Sequence, residues 1–261
     1  MHYFFVERKE SRHSHSKFHM RQSTQFNFLG QRKMETTLEG PDHAPLSCGK
    51  AVYLVILLHG KGVDGNNVID IGIEWGAILN KAKFIAPNGP FPDEDTSAGR
   101  QWFGIKNADT QQLVSNMNEA SEIVNAYLDE ILANHHLDDS HLAIVGFGQG
   151  ATLALHAALR RGKPMGAIVA ISGTVQDAEF LAKEIHIKPP TLLVHGDVDP
   201  NVSEASMTET QSVLSAMGVP VQTLSKPGEY WGLEEEGIIK IAEFIRQAMV
   251  KTATDHDHDH D

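Results

Sequence analysis

The chain holds a single cysteine, Cys48, in 261 residues. No internal disulfide can form, so a reducing compartment is permitted and a cytoplasmic location is expected. Long apolar runs are missing as well. The longest, "AVYLVILL" at 51–58, falls far short of the roughly 20 residues that cross a bilayer. Positive charge is scarce outside the N-terminal segment: residues 1–33 carry seven Lys and Arg against two Glu, which leaves −17 on residues 34–261. An acidic body with no evident basic face argues against nucleic acid as the main partner.

What remains is enough for one sizeable domain, since 41% of the residues are hydrophobic and chains of this length bury a single core. Residues 1–34 read as a basic extension outside the fold. They lack the continuous apolar centre and small-residue cleavage site of a secretory signal, and Met34 offers an alternative start. Residues 251–261 end in "DHDHDHD", either an acidic, His-bearing tail with weak metal-binding capacity or an appended tag. The domain itself is placed at 35–250.

Within it, short apolar runs alternate with helical patterns, the arrangement of βαβ units and a mostly parallel sheet. Strands are expected at 51–59, 83–88, 141–147, 165–172, 190–196 and 219–225. They are rich in Val, Ile, Leu and Ala with little polar alternation, as when helices cover both faces. Helices are expected at 112–135, 149–161, 203–217 and 234–250. In the first of these, Leu113, Met117, Ala120, Val124, Tyr127 and Ile131 recur at three- and four-residue spacing, one apolar stripe.

Ligands in such sheets sit at the carboxyl ends of the strands. Four segments leave those ends with unusual chemistry: "HGKG" (59–62), "GFGQG" (146–150), "HGDVDP" (195–200) and "KPGEYWG" (226–232). The second has the layout of a nucleophile elbow, G-x-S-x-G, a strand followed by a tight turn and a helix. Its central residue is Gly148, which has no side chain.

With "VILLHGKGVDGNNVIDI", "FIAPNGP", "GRQWF", "GFGQGATLALHAALRR", "AIVAISG", "LLVHGDVDPNV" and "EEEGIIKIAEFI" in this order, the chain from about Leu38 to Met249 resembles the phospholipase/carboxylesterase family, which includes the acyl-protein thioesterases. The resemblance implies a small α/β-hydrolase with little or no lid, which acts on carboxylic esters or acyl thioesters and needs no cofactor or metal. It places Asp199 at the position of the triad acid, with Asp197 a turn residue. It places an oxyanion hole at the backbone N–H groups of Lys61 and Gln149. A small-molecule ester or acyl ligand would lie near Trp102, Phe103 and Tyr230.

Two positions depart from the family pattern. Gly148 stands where the nucleophilic Ser belongs, and Trp231 stands where the His of the last motif belongs. Loss of the Ser of such a triad lowers turnover by about 10⁶-fold, roughly 8 kcal/mol, and further loss of the His changes little because the members act as a unit. Ordinary Ser-His-Asp catalysis is therefore expected to be absent, with an ester- or acyl-binding pocket kept. Two other readings stay open. In one, the site is reshaped by selection or design, with Glu229 as general base and Trp231 stacking on the substrate. In the other, the chain is a non-enzymatic interaction module. His59, His156 and His195 are read as structural.

Overall fold

Backbone amides in the interior need partners, and a parallel sheet buried on both faces supplies them while its side chains alternate between two cores. The computed structural model describes residues 38–196, 202–226 and 235–257. Its strands are β1 (Asp42–His43), β2 (Tyr53–Leu58), β3 (Ala82–Ile85), β4 (Phe91–Pro92), β5 (Arg100–Gln101), β6 (Leu142–Phe147), β7 (Ala167–Ile171), β8 (Thr191–Gly196) and β9 (Val221–Lys226). Among the described residues, seven of them form one sheet in the order β1-β3-β2-β6-β7-β8-β9. The pairings are parallel except for β1 on β3. Strands β4 and β5 make a separate antiparallel pair.

Period-2 alternation divides the strand residues between two cores. Leu54, Ile56, Leu142, Ile144, Ile168 and Leu193 face one side, where they pack with α2 (Thr110–His135) and α3 (Gln149–Ala158). Val55, Leu57, Val145, Val169, Ile171 and Val194 face the other, against α1 (Ile71–Gly76) and α6 (Glu235–Asp257). This is the three-layer α/β architecture expected of an α/β-hydrolase. The wholly buried Trp75 joins α1 to α6, its indole N–H donating to the Ile238 carbonyl at 2.9 Å.

Helix starts follow capping chemistry. Asp109 accepts from the Gln112 amide to begin α2. Asp177 accepts from Phe180 to begin α4 (Ala178–Glu184), and Ser203 from Ser206 to begin α5 (Glu204–Ala216). Such caps contribute about 1 kcal/mol each. Helix α2 ends on His136 in the left-handed region, φ 55°. Helix α3 has Gly148 at its N-cap and no side-chain cap, and the Asp70 side chain does not cap α1 either.

The expected strands and helices are all present with ends shifted by a few residues. Two helices lacked a signal of their own: α1, "IGIEWG", and α4, "AEFLAKE", span only six and seven residues, too few for an apolar stripe to declare itself. The edge strand β1 and the β4–β5 pair, two residues each, are equally brief. Helix α6 continues to Asp257, so part of the segment read as a tail is helical. No helix among the described residues is long and apolar enough to cross a membrane.

The junction of β6 with α3 is closed by backbone contact. A Cβ on Gly150 would lie 2.2 Å from the Leu58 carbonyl oxygen and 2.6 Å from that of His59. Gly150→Ala is therefore expected to lower stability by about 3 kcal/mol, read as a reduced urea midpoint at unchanged m-value. Gly162→Ala, whose Cβ would meet nothing within 4 Å, is the control and should stay within about 0.5 kcal/mol of the parent.

Candidate active site

The carboxyl ends of β2, β6 and β7 converge at the elbow. Gly148 has φ 53° and ψ −113°, a conformation that strains any residue bearing a Cβ by about 1–3 kcal/mol. Its N–H donates to the Ile171 carbonyl at 2.9 Å, and its own carbonyl accepts from the Ala151 and Thr152 amides at 3.1 Å each. These bonds lock the turn between sheet and helix. A Cβ at residue 148 would meet only the Gly60 Cα, at 3.9 Å. The turn thus retains the shape of a nucleophile elbow and has room for a nucleophile it does not carry.

Gln149 does more than open α3. Its side-chain Oε1 accepts from the Trp102 amide at 2.8 Å, and its Nε2 donates to the Phe103 carbonyl at 2.8 Å. This two-point clamp ties the first residue of the helix to the 102–103 segment. The Trp102 indole N–H in turn donates to the His59 carbonyl at 2.8 Å. His59 Nε2 accepts from the Gly89 amide at 2.8 Å, and Nδ1 lies 2.7 Å from the Gly60 carbonyl. These partners assign a neutral ring with its proton on Nδ1. Burial pushes the His59 pKa below its ordinary value, which favours the same form.

The loop after β2 is pinned on its far side by charge. Lys61 Nζ lies 2.9 Å from Asp93 Oδ1 and also pairs with Asp95. Burial works against the Lys61 ammonium, yet the Asp95 and Asp93 carboxylates hold its pKa above the ordinary lysine value. Asp93 accepts from Lys61 and from the Thr96 hydroxyl and amide, which keeps its carboxyl well below the usual carboxylate range. The adjoining Gly62 amide donates to the Arg100 carbonyl, and the Arg100 amide to that of Val63, both at 3.0 Å. Lys61 and Gln149, whose backbone N–H groups are the expected oxyanion donors, are thus each anchored by their own side chains.

Between these loops lies a cavity of about 720 Å³ lined by Lys61, Phe103, Gly148, Gln149, Thr152 and Ser172 among others. Of the expected site residues, Gly148, Lys61, Gln149 and Phe103 come together here. Trp102 is wholly buried, with its indole N–H engaged, and is not among the described lining residues. It supports the wall from behind. Asp199, Glu229, Tyr230 and Trp231, with Asp197, lie outside the described residues. No group of three or more His, Cys, Asp or Glu among the described residues is arranged to hold a metal ion.

The other two histidines read as structural are also buried. His156 stacks on Phe180 at 5.6 Å between ring centroids, and its Nε2 lies 3.0 Å from Asn118 Oδ1. His195 lies in β8 with neither ring nitrogen hydrogen-bonded. The Gln149 side-chain clamp and the Lys61–Asp93 pair were not anticipated. A glutamine after an elbow has no periodic signature, and the 31 residues between Lys61 and Asp93 hide their contact from any local pattern.

A profile described as phospholipase/carboxylesterase matches residues 47–249. Acyl-protein thioesterase 1 of Neurospora crassa is 26% identical over 215 residues, which cover 76% of this chain and 88% of that protein. Acyl-protein thioesterase 1 homolog 1 of Dictyostelium discoideum is 24% identical over 205 residues, covering 76% of this chain and 91% of its own length. Among solved structures, that of esterase PE8 superposes with a TM-score of 0.76 at 32% identity, covering 81% of this chain and 99% of that one. SOBER1 of Arabidopsis thaliana, at 23% identity and a TM-score of 0.67, covers 76% of this chain and 99% of its own and shares the fold.

Burial, and after it the Arg160 guanidinium, push the His156 pKa down to about 4. The unfolded chain binds that proton near pH 6.5 while the folded chain refuses it until about pH 4. Stability therefore falls as pH drops from about 6.5 to 4, by up to about 3 kcal/mol from this residue, with a contribution of the same sign from His59. Urea midpoints measured across that range should show the decline, and His156→Gln should flatten it.

Proposed function

The chain belongs to the phospholipase/carboxylesterase family, and from that membership we propose that it is a member which has lost Ser-His-Asp hydrolysis and kept an ester- or acyl-binding pocket. The observation that carries this reading is the elbow itself. Gly148 occupies the strained turn position at φ 53°, ψ −113° and has no atom with which to attack a carbonyl carbon. The two backbone donors expected to receive a carbonyl oxygen, on Lys61 and Gln149, border the same cavity. Val63, Phe103, Ile105, Leu113 and Phe147 give that cavity an apolar wall suited to an acyl chain.

Among the described residues that line the cavity, no other hydroxyl stands at the nucleophile's place. Thr152 sits a turn further along α3, where its Oγ1 accepts from the Thr174 amide at 3.3 Å. Ser172 belongs to the end of β7 rather than to the elbow. Trp231, at the position where the family carries its His, supplies no proton acceptor. A bound ester would be held with its carbonyl between two N–H donors and would leave unchanged.

The purified protein should turn over p-nitrophenyl acetate about 10⁶-fold more slowly than a Ser-His-Asp esterase and should not be labelled by a fluorophosphonate probe. Gly148→Ser with Trp231→His should restore measurable turnover and labelling, whereas either substitution alone should restore little. Labelling of the unmodified chain, or a well-folded double variant that stays inert, would overturn the reading.

A further inference from the structure

The cavity beside the elbow carries a polar group that the oxyanion donors do not account for. Ser172 is 7% exposed, and its Oγ is buried with no hydrogen-bond partner. It is the exception among the described hydroxyl-bearing residues that line the cavity. Thr96 donates to Asp93, Thr152 accepts from the Thr174 amide, and Thr174 accepts from Gln176 Nε2. A buried hydroxyl without a partner is destabilising unless something else supplies one.

Its position says where that partner comes from. Ser172 directly follows Ile171, whose carbonyl accepts from the Gly148 amide at 2.9 Å, and its own amide donates to the Val194 carbonyl at 2.9 Å. The next residue, Gly173, is packed so closely on the first turn of α3 that a Cβ there would fall 2.8 Å from the Thr152 nitrogen. Ser172 itself stands at φ 55°, a conformation that Gly adopts more readily. The hydroxyl is therefore kept at a strained position, next to the elbow, with no internal contact to justify it.

We propose that Ser172 is a specificity-determining residue of this pocket: its hydroxyl donates to the second oxygen of a bound carboxylic ester while the Lys61 and Gln149 amides take the carbonyl oxygen. The inference rests on the ester- or acyl-binding reading and narrows it. Divalent sulfur is a weak acceptor, so the group distinguishes an oxygen ester from the corresponding thioester. The two carboxylates of Asp93 and Asp95 outnumber Lys61 on the cavity wall, which disfavours a free carboxylate and favours the neutral ester. His195, with both ring nitrogens also unpartnered, is 1% exposed and is not among the described lining residues, so the contact falls to Ser172.

The test titrates ethyl butyrate and S-ethyl thiobutyrate into the protein by ligand-observed NMR, alongside Ser172→Ala and Ser172→Gly. The parent chain should bind the oxygen ester roughly 2- to 10-fold more tightly than the thioester, and both variants should bind the two equally. Ser172→Gly should also melt no lower than the parent, because the hydroxyl has no partner inside the protein. A preference that survives in the variants, no preference in the parent, or a lowered melting temperature in Ser172→Gly would each overturn the assignment to Ser172. Failure of the parent to bind either compound would overturn the pocket reading and this inference with it.

Discussion

A side chain on Gly146 would lie 2.3 Å from the Gly150 carbonyl oxygen, and one on Gly150 would lie 2.2 Å from the Leu58 carbonyl oxygen. Strand β6, helix α3 and the end of β2 therefore meet through bare backbone. This close approach is the constraint from which the site follows. It brings the amino end of α3 and the loop after β2 to the same point, where Gly60 Cα would touch a Cβ on Gly148 at 3.9 Å. With that approach in place, two backbone N–H groups from separate loops can face one cavity. Neither depends on the identity of the side chains at 61 and 149.

Those side chains have instead been given to rigidity. Gln149 spends its amide on the Trp102 amide and the Phe103 carbonyl, and Lys61 spends its ammonium on Asp93 and Asp95. Each of the two cavity-lining residues at the expected donor positions is thus also the residue that anchors its own segment. Preorganised donors of this kind lose little on binding, since their geometry is set before the ligand arrives. The His59 ring extends the same scaffold by bridging the Gly89 amide to the Gly60 carbonyl. This is why a buried histidine one residue from a donor loop acts as a strut rather than as a base.

Much of the layout was legible from the chain because parallel strands buried on both faces announce themselves as unbroken apolar runs. "LAIVGF" and "TLLVHG" are buried at every position. The elbow was legible from its glycines, whose spacing has a steric reason. The support of the site was not. Trp102 was expected to touch substrate, yet its buried indole serves the His59 carbonyl, and nothing in "GRQWF" tells a lining ring from a supporting one. Ser172 simply follows strand β7. What singles it out, an unpartnered hydroxyl at positive φ, is a property of three-dimensional packing and has no trace in "AISG". The positions that sequence reads worst are those whose role is a hydrogen bond to something distant in the chain.

The pairing of a relaxed elbow with a strained neighbour bears on how such a site persists. A serine at 148 would be held at φ 53° against a penalty of about 1–3 kcal/mol, the usual balance in which a functional group is retained at the expense of stability. Glycine removes that penalty and leaves the backbone hydrogen bonds of the turn as they are, so the fold has no reason to collapse when the chemistry goes. If stability alone had shaped the pocket, Ser172 would have followed the same route, since glycine would relieve its φ of 55° too and eliminate a buried hydroxyl without a partner. Position 148 carries the residue that its positive φ favours, and position 172 does not. The proposed ester contact at Ser172 accounts for that contrast.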